Sequence, residues 1–206
     1  MLIGVDFDNT LADYQEAFLA CARERGWVGP DYAGQKRALR DLLRLRPEGD
    51  LCWQDLQGEV YGPGIGRAVL YPGAADVVRR LRSSGHGVVI VSHKTEFAGR
   101  DPTRTPLRQA ALGWMTGQSF FEAEGMSLAV SDVHFCATRA EKLAKIDDLR
   151  CALFIDDLEE VLLDPGFPAS IRRVLFRPDG EAHGDPSIAT CRSWAEVGDL
   201  LIDADA

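Results

Sequence analysis

Residues 2–11 read LIGVDFDNTL, an apolar run that ends in two carboxylates one residue apart, Asp6 and Asp8. Leu2, Ile3 and Val5 suit a strand covered on both faces, as in a parallel sheet flanked by helices. Asn9 and Thr10 come next and are turn and helix-cap types. The two aspartates therefore fall at the carboxyl end of the strand.

The arrangement recurs downstream. Ala74, Val77, Val78 and Leu81 predict a helix, Gly85 to Gly87 a turn, and Val88 to Val91 a buried strand that runs into Ser92, His93 and Lys94. Pro106 to Trp114 predicts another amphipathic helix, DVHFCA a weaker strand leading to Thr138, and AEKLAKIDDL a helix carrying Lys142 and Lys145 one turn apart. CALFIDD is a strand closing on Asp156 and Asp157, LEEVLLD a short helix, RRVLF a fifth strand, and Trp194, Val197 and Leu201 mark a last helix. This alternation predicts an α/β fold whose core is a Rossmann-like parallel sheet with helices on both faces.

One block departs from the alternation. Between Tyr14 and about Leu70 the apolar residues follow helical spacing: Tyr14, Ala17, Phe18 and Cys21, then Leu39, Leu42 and Leu43, then Trp53, Leu56 and Val60. The expectation is a small helical cap over 14–70, inserted after the first strand, with 1–13 and 71–206 forming the core. The glycines of YGPGIGRA, Tyr61 to Ala68, follow a helix rather than a strand, which excludes a dinucleotide or phosphate loop and suits a hinge.

Composition narrows the partners. With 23 basic against 32 acidic residues the net charge is -9, which opposes binding to nucleic acid or to an anionic membrane and leaves a small molecule as the expected partner. No window approaches the ~18 apolar residues of a membrane span, and the first residues lack a basic, then apolar, leader, so a cytoplasmic location is expected. The five cysteines form no CxxC pair and read as reduced core residues.

In open parallel sheets the binding crevice lies outside the carboxyl ends of the strands, so Asp6, Asp8, Ser92, Asp156 and Asp157 are expected to meet there. Four carboxylates brought together repel one another unless a cation neutralises them. Oxygen ligands without a Cys or His cluster favour a hard ion such as Mg²⁺, with Asp6, Asp8, Asp156 and Asp157 as its candidate ligands.

DFDNT, VVIVS, a lysine at the start of a helix and FIDD, in that order, resemble the four motifs of the haloacid dehalogenase-like (HAD) superfamily hydrolases and span Leu2 to Asp157. The resemblance implies that Asp6 is the nucleophile that forms an aspartyl phosphate, and that Asp8 protonates the leaving oxygen and then activates water. It implies that Ser92 holds the transferring phosphoryl group and that Asp156, with Asp157, completes the metal site. Lys142 lies nearer the helix N-terminus and is the expected motif lysine, with Lys145 as the alternative. Asn9, Thr10, His93 and Lys94 are candidate substrate contacts. An aspartate at position 8 resembles the phosphatases and mutases of the superfamily rather than its dehalogenases. The expected function is that of a Mg²⁺-dependent phosphatase acting on a small phosphorylated metabolite. A phosphomutase, or a non-catalytic protein of the same fold that binds a phosphorylated ligand or another protein, are the alternatives.

Overall fold

The computed structural model describes residues 1–180 and 182–202. The chain divides into two compact units. Met1–Ala12, Leu70–Lys94 and Met115–Ala206 form the first, and Asp13–Val69 with Thr95–Trp114 the second.

The first unit is built on a six-stranded sheet of β1 (Leu2–Val5), β4 (Gly87–His93), β5 (Val133–Cys136), β6 (Leu153–Asp156), β7 (Arg172–Phe176) and β8 (Ile188–Cys191), in the order β5-β4-β1-β6-β7-β8. Every pairing in it is parallel. Counted along the chain, the six strands lie in the order 3-2-1-4-5-6, the doubly wound arrangement whose direction reverses between β1 and β6. The Rossmann-like α/β core expected from the sequence is the fold observed. The sequence yielded five of its strands. The sixth, IATC of β8, was missed because four residues with half-buried Ala189 and Thr190 at their centre carry little apolar signal.

Helices α4 (Ala74–Ser83) and α8 (Trp194–Ile202) pack together on one face, against β4 and β8. On the other face α6 (Arg139–Asp148) and α7 (Glu159–Leu162) contribute Leu143, Ile146, Val161 and Leu162 to a core with Val89, Val91, Phe154 and Leu175. Alternate β4 residues serve the two faces, which is why its whole apolar run is buried.

Gly4 makes this packing possible. A Cβ at Gly4 would lie 2.5 Å from Cδ2 of the buried Phe154 ring. Gly4→Ala is expected to lower stability by about 1–3 kcal/mol, as overpacking of a filled core does. Urea unfolding would show this as a lower midpoint at unchanged m. A variant as stable as the parent would mean that the ring moves freely.

In the second unit α1 (Gln15–Glu24), α2 (Lys36–Arg44) and α3 (Gly49–Tyr61) pack on one another. Phe18 stacks on Trp53 with centroids 5.0 Å apart, and Tyr14 meets Tyr61 edge-on at 4.9 Å. The Lys36 ammonium lies 4.7 Å from the Phe18 centroid and donates to the Tyr61 hydroxyl at 3.0 Å. Leu39 and Leu43 are buried as their spacing predicts, whereas Leu42 is 41% exposed. Two-residue strands β2 (Ala12–Asp13) and β3 (Val69–Leu70) pair where the chain passes out of the first unit and returns.

The second unit also takes in Thr95–Trp114, which the boundaries at 14 and 70 had left with the core. The Trp114 indole donates to the Ala68 carbonyl at 3.1 Å, and Arg100 pairs with Asp55 at 2.5 Å. An amphipathic pattern such as that of α5 (Leu107–Gly117) announces a buried face without naming what buries it. Among the described residues no helix is long and apolar enough to cross a membrane.

Candidate active site

The switch point of the sheet lies between β1 and β6, and both strands end in aspartate. The backbone N–H of Asp6 donates to the carbonyl of Ile155 at 2.8 Å, so the ladder holds Asp6 beside the end of β6. Asp6, Asp156 and Asp157 each place a carboxylate oxygen within 4.8 Å of the others. Asp156 is pinned further, since its Oδ1 accepts from the Leu158 N–H at 3.0 Å.

Thr138 caps α6 by accepting from the Glu141 N–H at 3.1 Å, and Ala137 N–H donates to the Glu141 carboxylate at 2.8 Å. Lys142 then falls in the first turn, where a side chain points back toward the strand ends. It is 1% exposed, and its Nζ donates to Asp6 Oδ1 and to Asp156 Oδ2, both at 2.6 Å, with the Phe154 ring centroid 5.3 Å away. Of the two candidate lysines Lys142 is the one at this site, while the charge of Lys145 acts on His134.

Electrostatics follow from one cation shared by two acids. Burial pushes the Asp6 carboxyl up to about 7, with Asp156 and Asp8 adding to the rise and Lys142 opposing it. Burial works against the Lys142 charge, but Asp6 and Asp156 more than offset it and hold its pKa above the usual range.

Asp8 behaves differently. It stands outside the three-carboxylate group, and its oxygens face Lys94, with Nζ at 3.1 Å from Oδ1 and 2.8 Å from Oδ2. The Asp8 carboxylate, a candidate metal ligand by sequence, is turned to Lys94 in this structure. Two residues of strand would set Asp6 and Asp8 side by side, but the chain turns here, with the Asn9, Leu11 and Ala12 N–H groups bonded back within the loop. Asn9 has φ 61°, a left-handed conformation that asparagine tolerates.

Ser92 is the penultimate residue of β4, the other neighbour of β1, and its hydroxyl is buried without a hydrogen-bond partner among the described residues. The Thr10 hydroxyl is likewise buried and unpartnered, while the Thr10 carbonyl accepts from the Trp194 indole at 2.9 Å. Such groups are costly unless a ligand supplies the missing bond. His93 is exposed, and its Nε2 donates to the Ala137 carbonyl at 3.1 Å.

The donor set fits a divalent cation. Asp6, Asp8, Asp156 and Asp157 against Lys94 and Lys142 leave a formal charge of -2 when all are ionised. A second cluster, Cys21, Glu24 and Glu59 in the helical unit, does not fit as well. There Arg67 pairs with Glu24 at 2.9 Å and Arg25 with Glu59 at 2.5 Å, and burial with the Glu59 charge pushes the Cys21 thiol up to about 11. A cavity of about 630 Å³ within the same unit is lined by Arg25, Glu59, Asp55 and Arg100, whose charges are paired among themselves.

Sequence reading had not marked Phe154 or Gly4. The signal for them is that FIDD places an aromatic ring two residues before Asp156, opposite a glycine in β1.

No family model matches the chain, and no curated protein matches it by sequence. Solved structures do. A HAD-superfamily hydrolase from Ehrlichia chaffeensis is 11% identical over 100% of this chain and 97% of its own, with a TM-score of 0.56. The HAD hydrolase YfnB from Bacillus subtilis, described as bound to magnesium, is 15% identical over 97% of both chains, with a TM-score of 0.56. A dehalogenase is 17% identical over 97% of this chain and 96% of its own, with a TM-score of 0.55. With a doubly wound sheet and acids at its switch point, the chain has the fold of the HAD-superfamily hydrolases.

Proposed function

We propose that the protein is a Mg²⁺-dependent phosphatase that hydrolyses phosphomonoesters of small molecules through an aspartyl phosphate on Asp6. The observation that carries this reading is the buried Asp6–Lys142–Asp156 triad between two strands, with the unpartnered Ser92 hydroxyl on the strand to its other side. Buried charge of this density is costly and is found where chemistry uses it.

In this reading Asp6 attacks phosphorus as the ester P–O bond breaks, and the departing oxygen takes a proton from Asp8. Water then attacks the aspartyl phosphate, gives a proton to Asp8, and the P–O bond to Asp6 breaks to release inorganic phosphate. Ser92 donates to a phosphoryl oxygen, and Lys142 keeps Asp6 oriented and offsets charge on the phosphoryl group. Asp6, Asp156 and Asp157 would hold Mg²⁺, which when bound neutralises the excess charge and polarises the phosphoryl oxygens. The helical block over 14–70, with 95–114, selects the substrate as a cap.

Sugar phosphates, nucleotides and phosphorylated acids, each assayed for free phosphate with Mg²⁺ and with chelator, test the proposal. Release from at least one substrate is expected, with a loss on the order of a hundredfold in chelator. Undiminished activity in chelator would remove the metal from the scheme. An isomerised phosphate ester without free phosphate would make the protein a mutase. Halide release from a 2-haloacid in the same screen would replace the phosphatase reading, and one of the similar structures is a dehalogenase.

A further inference from the structure

Lys94 is a buried cation outside the Asp6–Lys142–Asp156 triad. It is 4% exposed and follows the last residue of β4, where its backbone N–H donates to the Cys136 carbonyl at 2.8 Å. Its Nζ lies 5.6 Å from the Phe7 ring centroid and meets both oxygens of Asp8. A buried ammonium anchored at its backbone and set against both oxygens of one carboxylate restricts the rotation of that carboxylate. Asp8 sits in a turn with its side chain partly open to solvent.

We propose that Lys94 is a positioning residue for the second half of the reaction: it holds the Asp8 carboxylate where water attacking the aspartyl phosphate can deliver its proton. The inference rests on the phosphatase reading and adds to it a residue whose task is separate from binding phosphate. Lys94 acts through Asp8, whose two oxygens it meets. Its loss should slow breakdown of the phosphoenzyme and spare its formation from an ester with a good leaving group, because such a group departs with little help from an acid.

Rapid quench with p-nitrophenyl phosphate and Mg²⁺ reads the two halves separately in the full-length protein. In Lys94→Met we expect a burst of nitrophenol near one equivalent of enzyme, then a steady rate about ten- to a hundredfold below the parent. In an Asp8→Asn background the same substitution should add less than about twofold, since residues that act as one unit are not additive. A steady rate within twofold of the parent overturns the proposal. So does a burst that shrinks in step with the rate, because that is the signature of fewer folded sites. If methionine at this position prevents folding, Lys94→Gln keeps an N–H donor without the charge and is judged by the same two quantities. Failure of the underlying reading looks different: the parent protein itself would form no phosphoenzyme on Asp6.

Discussion

Asp6→Asn is expected to abolish turnover and phosphoenzyme together, a loss of about 10⁴-fold or more in kcat, since the amide is a far weaker nucleophile in the same place. Asp8→Asn should fail later. With a good leaving group it should still phosphorylate Asp6, giving a burst near one equivalent, and then stall because water attacking the aspartyl phosphate lacks its base. The structure makes this separation sharp. Asp6 lies against Lys142 in the buried triad, whereas Asp8 is turned to Lys94. A burst from Asp6→Asn, or phosphate mapped to any other residue, would reject the mechanism.

Lys142→Met should cost about 3–5 kcal/mol of stability at pH 8 in chelator, because removing one member of a buried ionic cluster leaves the others uncompensated. The side chains of Lys142, Asp6 and Asp156 are 2%, 7% and 0% exposed, so water cannot screen the charge left behind. The effect should depend on pH with a definite sign. Asp6 stands at about 7 with Lys142 present, against an ordinary 3.8, and removing the lysine leaves burial, Asp156 and Asp8, all of which raise it. A carboxyl whose folded pKa exceeds its unfolded one binds more protons when folded, so its stability is greatest in acid and falls as pH climbs from the unfolded value through the folded one. The deficit of Lys142→Met should therefore shrink at pH 5 and be full at pH 8, measured by urea unfolding. Equal deficits at the two pH values would mean that the lysine acts through packing alone. Mg²⁺ at pH 8 should recover part of the loss, as any ligand bound only by the folded state does.

Much of the core was legible because its signals are local. The ends of β1, β4 and β6 carry Asp6, Ser92 and Asp156, and the parallel fold brings those ends to one edge of the sheet. Lys142 could be favoured over Lys145 because a helix returning to the sheet presents its first turn to the strand ends, and Thr138 does cap α6 there. What escaped was non-local. Nothing in VSHKT says that Lys94 meets Asp8, because that contact depends on how the turn after Phe7 rotates the carboxylate. Likewise, nothing in the Pro106–Trp114 pattern says that the segment joins the helical unit, since the Ala68 carbonyl that meets the Trp114 indole lies 46 residues away.

The strand order also bears on how the chain is made. β1 comes first in the chain among the six strands of its sheet, yet it occupies the middle, with Leu2 paired to Gly87 and Ile3 to Leu153. At roughly 5–20 residues per second, its second neighbour arrives roughly 8–30 s after it. Through that interval an apolar strand has at least one edge unpaired, and such a low-locality topology folds slowly and is open to aggregation. Asp6 and Asp8 follow directly on that strand and keep two charges beside it. Charges flanking an unpaired apolar strand oppose its aggregation, and at this strand the two aspartates supply them.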